Sequence, residues 1–208
     1  LQSPSPRTTI SDTSLHSTRL SGHIFKALEF KEIFGDDYYI ELQDHGIAEE
    51  KKALPELVRL AREIGVKVVA TNDVHYIEKN DADMQDVLMC AITDHGNMYG
   101  VYSFIEAMKK AGIKPIIGSE FYTVRDIKNC DPTEKRHHLI LIAKNKTGYD
   151  NLMKLSSISF KDGFYYRPRI DMNVLRQYSE GIICLSACVQ GEVPRLIIED
   201  NYEGAKRS

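Results

Sequence analysis

Five residues of metal-ligand type stand just beyond short apolar stretches: Asp73, His75, His95, Glu120 and Cys188. Asp73 and His75 lie in Asn72-Asp73-Val74-His75, and His95 in Asp94-His95-Gly96-Asn97. Glu120 follows Ser119, and Cys188 follows Ala187. Imidazole, carboxylate and thiolate together bind zinc, manganese or iron. Residues two apart on an extended strand point to the same side, so the Asp73-x-His75 spacing can offer both side chains to one ion. A carboxylate such as Glu120 suits a bridging position where more than one metal is held.

Each of these residues has an ordinary alternative. An Asp–His pair in a loop is commonly a capped turn, a Glu after a strand a helix cap, and a Cys such as Cys188 a core residue. Their coincidence at strand ends is what raises the metal reading. His45, in Gln43-Asp44-His45-Gly46, also follows a strand and is assigned a structural place or a supporting one beside the ligands, as is Asp94. His137 and His138 precede their strand, so spacing alone ranks them low. Tyr165, Tyr166, Arg167 and Arg169 form a basic-aromatic patch that could clamp a nucleic acid strand. Such a patch more often packs as a helix-entry loop. The chain has no Walker-type or Rossmann-type glycine loop, and neither Ser119 nor Ser186 sits in a Gly-x-Ser-x-Gly elbow.

The elements that must position these residues follow from periodicity. Strands are expected at 38–42, 66–71, 91–93, 114–118, 139–143 and 181–186. Helices are expected at 24–34, 51–64, 80–89, 99–111, 148–157, 172–178 and 193–199, with a last one from 201. In the second helix Leu54, Leu57, Val58, Ala61 and Ile64 share one face, and Gly65 stops it. Alternating strands and helices predict a parallel sheet covered by helices, open or closed into a barrel. In such folds the carboxyl ends of the strands share one face, where sites form.

Bulk properties set the class. The chain has 208 residues, 42% hydrophobic and 27% charged, with net charge −3, which argues against a broad basic surface for nucleic acid. It does not exclude an enzyme that takes one DNA end into a metal-lined cleft. Cys90, Cys130, Cys184 and Cys188 form no Cys-x-x-Cys pair, and a reducing cytoplasm is expected. No apolar run reaches the roughly 20 residues of a membrane span. Residues 1–22 are rich in Ser, Thr and Pro, so 1–26 are expected to be a disordered or foreign tail.

Six blocks name a family. IFGDDYYIELQDHGI, VVATNDVHY, TDHGNMYGVYSFIEAMKKAGIKPIIGSEFY, HHLILIAKNKTGYDNLMKLSS, GFYYRPRID and YSEGIICLSACVQGEVPRLI closely resemble the PHP domain of bacterial DNA polymerase III alpha subunits, over residues 27–208. The resemblance implies a distorted (βα) barrel with divalent metals at the strand ends. Zinc or manganese are the first choices, and iron or magnesium the next. It implies Asp73, His75, His95, Glu120, His138 and Cys188 as ligands, which raises His138 above its rank by spacing. By family, Asp73, His75, His95 and Glu120 would carry catalysis of 3′–5′ exonuclease type. Asp94, His45, Arg167 and Arg169 would lie near the ligands or the DNA. The implied partners are DNA, the other replicase domains and the proofreading exonuclease subunit, with no membrane.

Two departures bear on this. The family's opening His-x-His strand has no counterpart here, and the blocks run in rotated order, with QDHG and NDVH ahead of TDHG. Joined end to start, EGAKRS and ALEFKEIFG read as one family-type helix. The expectation is therefore a circularly permuted PHP fold of about six strands, one fewer than the family, with a seam that invites self-association. It contains no polymerase palm. Two readings stay open beside hydrolysis of phosphodiesters: a non-catalytic module that binds the exonuclease subunit, and a rearranged or designed product without selected function.

Overall fold

The structure, a computed structural model, describes residues 26–71 and 89–206. The expected helix at 80–89 lies almost wholly outside these residues, as does the tail up to residue 25.

α1 (Ala27–Phe34) is followed by a short 3-10 turn, Gly35–Asp37, and β1 (Tyr38–Leu42). α2 (Ala48–Ile64) leads to β2 (Lys67–Ala70). β3 (Met89–Ile92), α3 (Val101–Ala111), β4 (Lys114–Thr123) and β5 (His137–Ala143) follow. Then come α4 (Lys146–Lys161), β6 (Arg169–Ile170), α5 (Met172–Gln177), β7 (Ile182–Leu185), α6 (Glu192–Ile198) and α7 (Tyr202–Lys206).

One seven-stranded sheet runs β2-β1-β7-β5-β4-β3, with β6 also on β4. This mixed α/β architecture agrees with a distorted, barrel-like fold, with differences in detail. Seven strands are present among the described residues, because the two-residue β6 joins the expected six. The sheet is not wholly parallel: β5 runs antiparallel to both β4 and β7. β4 is longer than expected and carries Ser119 and Glu120 inside the strand. β2 and β3 stand at opposite ends of the order and do not pair among the described residues, so the sheet is open there.

The core explains why these segments order. α2 buries Ala53, Leu57, Leu60, Ala61 and Ile64, a helical stripe slightly rotated from the expected one. Gly65 ends it at φ +64, a left-handed conformation suited to glycine. This stripe joins Tyr38, Ile40, Leu139, Leu141, Ile182 and Cys184 of the central strands in one cluster. Ala27 of α1 and Ala205 of α7 are both fully buried in the same cluster.

Candidate metal centre

β4 is the spine of the site. Along one edge it pairs with β3 at residues 114–117, bridges His95 at Glu120, and pairs with β6 at 122–123. The bridge is made by two backbone hydrogen bonds: Glu120 N–H donates to Asp94 O at 3.0 Å, and Gly96 N–H donates to Glu120 O at 2.7 Å. Gly96 is required here on two counts. Its φ is +70, and a Cβ would lie 2.8 Å from the Tyr122 ring. The hydroxyl of Ser119 donates to Asn97 O at 2.8 Å and ties the same loop down. Asp94 holds the loop's far side, its Oδ2 accepting from Gly100 N–H at 3.1 Å.

This clamp sets His95 against Glu120, with Nδ1 2.6 Å from Oε1. On the other edge of β4, His138 of β5 places Nδ1 3.1 Å from Glu120 Oε2. The reversed direction of β5 accounts for this. The start of an antiparallel strand lies level with the carboxyl ends of its parallel neighbours, so a histidine that precedes the strand core still reaches the site.

Cys188 comes from the turn after β7. Ala187 takes a left-handed φ of +62 there, a costly backbone state for a residue with a Cβ. The turn docks on β5: His138 N–H donates to Gln190 O at 3.1 Å, and Gly191 N–H to Cys188 O at 2.8 Å. A Cβ on Gly191 would fall 2.1 Å from Ser186 O, so the turn closes only around glycine. Cys188 Sγ then lies 3.8 Å from His138 Nδ1.

Glu120, His138 and Cys188 each offer a ligand atom, and these atoms all lie within 4.8 Å of one another. Glu120 is only 4% exposed. Burial pushes its carboxyl up, but hydrogen bonds with His138 and His95 outweigh this and lower it. Burial likewise opposes the charged form of His138, yet bonds to Cys188 and Glu120 raise it to about 9. Its neighbour His137 is pushed down to about 4, by burial first and then by Lys26, Arg195 and Lys135. Carboxylate, imidazole and thiolate at this spacing fit a divalent ion, and the thiolate favours a softer one such as zinc. Binding would displace the protons that now hold the cluster together.

The other expected site residues either fall outside the described residues or are held away from this cluster. Asp73 and His75 fall outside the described residues. His45 pairs through Nδ1 with Glu50 Oε1 at 2.7 Å, which ties it to the first turn of α2. Arg169 is not available to DNA: it is 2% exposed, and its guanidinium donates to Gly163 O, Asn129 O and Ile127 O at 2.8, 2.9 and 2.9 Å. It staples the β4–β5 loop to the β6 segment. Arg167 is exposed.

Sequence reasoning passed over Glu41. It is buried in β1, with Oε1 accepting from Gln43 and Thr71, while Oε2 has no hydrogen-bond partner among the described residues. Burial, with Glu120's charge as a smaller cause, raises its carboxyl above the usual range. The signal was an acid within the otherwise apolar, aromatic-rich run Tyr38–Leu42.

A family model described as PHP domain matches residues 76–208. The chain belongs to the PHP domain family. It is 56% identical over 120 residues to DNA polymerase III subunit alpha of Borreliella burgdorferi, covering 56% of this chain and 10% of that protein. It is 55% identical over 117 residues to the same subunit of Helicobacter pylori strain J99, covering 56% and 10%. The subunit of Aquifex aeolicus is 43% identical over 147 residues, covering 66% of this chain and 11% of its own length. The resemblance expected from the sequence blocks is thereby borne out. This PHP chain spans about a tenth of the length of the relatives it matches. No helix among its described residues is long and apolar enough to cross a membrane.

Proposed function

We propose that this PHP domain is a metal-dependent phosphodiesterase module acting on DNA 3′ ends within a DNA polymerase III alpha replicase. The observation that carries this is the convergence of Glu120, His138 and Cys188 within 4.8 Å, with His95 2.6 Å from Glu120. Zinc or manganese held there would polarise a phosphoryl oxygen and lower the pKa of a bound water. Glu120, shielded from solvent and bonded to both histidines, fixes their orientation. His95 stands at the exposed side of the cluster, where a substrate oxygen would arrive. Asp73 and His75 complete the ligand set in this reading.

Two further elements of the reading concern order and partners. Residues 27–208 form one permuted domain behind a foreign tail, 1–26. The family match beginning at residue 76 supports this, since a collinear comparison takes only one of two rotated blocks. The packing of α7 beside α1 supports it as well. The partners are DNA, the other replicase domains and the proofreading exonuclease subunit in the cytoplasm. The open sheet ends also favour self-association.

Turnover is expected to be slow. No His-x-His pair occurs in the chain, and a paired-metal mechanism loses rate with small displacements. The test is release of nucleotides from the 3′ end of single-stranded DNA by zinc- or manganese-loaded protein. Slow, metal-dependent release that disappears in Glu120→Ala is the expected outcome. Metal-loaded protein with no release above the Glu120→Ala background would leave the scaffold reading in its place.

A further inference from the structure

A cleft of about 470 Å³ opens beside the metal centre, within the size range of small-molecule sites. His138 and Tyr122 are among the residues that line it. Lys135, Arg136, Arg167 and Arg195 add four cations to the same lining. This local concentration departs from the net charge of −3 for the whole chain and makes the cleft an attractor for anions.

The cations divide into two pairs. Lys135 and Arg195 are both held by Glu199, at 2.9 and 3.1 Å, and Arg195 also donates to Gln190. Arg136 and Arg167 are exposed and make no ion pair among the described residues. The guanidinium fork matches phosphate oxygens, and an unpaired one has no competing bond to break. One acid, Glu134, also lines the cleft. Its Oε1 accepts from Arg125 N–H at 2.9 Å, and its Oε2 has no hydrogen-bond partner among the described residues.

The wall is held in place before any ligand arrives. The β4–β5 loop is stapled at Ile127 and Asn129 by the buried Arg169. It is also tied by Ile127 N–H to Asp171 Oδ2 at 3.3 Å.

We infer that Arg136 and Arg167 form a subsite for the phosphodiester backbone of a single strand whose end is delivered to the cluster at His138. This rests on the phosphodiesterase reading for the strand's destination, but binding is measurable without hydrolysis. Recognition is of the backbone, because the cleft offers cationic charge and guanidinium forks that match phosphate oxygens.

The test is equilibrium binding of a fluorescent 12-nucleotide oligo(dT) to the full chain by anisotropy, in EDTA and with zinc, over a range of salt. Arg136→Ala with Arg167→Ala should weaken binding at least tenfold. It should also lower the slope of log K against log salt by about 1.4, at roughly 0.7 per phosphate contact. Lys109→Ala with Lys110→Ala, two exposed lysines in the last turn of α3, should change neither. An abasic strand of equal length should compete as well as oligo(dT). Glu134→Gln keeps the acceptor for Arg125 N–H, removes the opposing charge, and should tighten binding; it decides the matter if the double arginine variant fails to fold. Equal losses in the arginine and lysine pairs, no loss in either, an ineffective abasic competitor, or a Glu134→Gln protein that binds no tighter would each overturn the subsite. Loss of strand binding in the arginine variant, with no nucleotide release by the parent, would uphold the subsite and sink the phosphodiesterase reading.

Discussion

At the scale of single residues, the site depends on a few positions where only one side chain fits. Gly96 is the clearest. Ala there meets a left-handed φ of +70 and a ring atom of Tyr122 at 2.8 Å. The backbone strain alone costs about 1–2 kcal/mol. The shift would also stretch the Gly96–Glu120 bond that registers His95. Gly96→Ala should therefore lower the denaturant midpoint and weaken metal binding together. Unchanged stability would show that the loop relaxes freely and that the clamp is not what sets His95.

Glu192 makes a second residue-scale prediction. Burial raises its carboxyl to about 7, against the pull of Lys26, 3.5 Å away. The folded state thus holds this proton more tightly than the unfolded chain, whose carboxyl titrates near its ordinary value of about 4.5. Its contribution to stability is fully present below that value and is lost as pH rises through about 7. Glu192→Gln should be more stable than the parent at pH 8 and should flatten the fall in stability between pH 5 and 7. Equal pH profiles for the two proteins would remove Glu192 from the account.

At the scale of elements, most strands and helices were legible because apolar periodicity and glycine stops reported burial directly. α2 ends at Gly65 as its pattern requires, and β1 spans the expected residues. The direction of β5 was not legible, because alternation fixes which side chains are buried and not which way a strand runs. Spacing alone ranks His138 low for that reason, and only the family resemblance raises it. β6 escaped notice because two residues carry no period; its order comes from pairing with β4 and from the buried Arg169. The acid at Glu41 was visible in the strand, but its partner Thr71 is 30 positions away and could not be read from spacing.

The proposed rotated order can be tested at this scale. α7 lies beside α1, and Lys206 Nζ reaches Glu63 Oε2 at 2.8 Å. Ser208 itself lies outside the described residues. A chain rebuilt as residues 76–208 followed directly by 27–75 should fold with the same far-ultraviolet circular dichroism spectrum and a similar denaturant midpoint, because neighbouring ends tolerate joining. A rebuilt chain that stays unfolded would argue that the present order is the native one and that the α7–α1 neighbourhood is incidental.

At the scale of the whole molecule, six strands among the described residues point one way and one is reversed. This arrangement gathers side chains from the loop after β3, from β4, from β5 and from the turn after β7 at one end of the sheet. Short-range signals placed each residue near a strand end, but only the shared sheet brings them within ligand distance. Glu120, His138 and Cys188 are proposed to hold a divalent metal there. Elemental analysis of protein reconstituted with zinc and dialysed free of excess tests this most directly. The parent is paired with a Glu120→Ala, His138→Ala, Cys188→Ala variant whose fold is checked by circular dichroism. Near-stoichiometric zinc in the parent and its loss from the folded variant are expected; equal zinc in both, or none retained by the parent, would rule the site out.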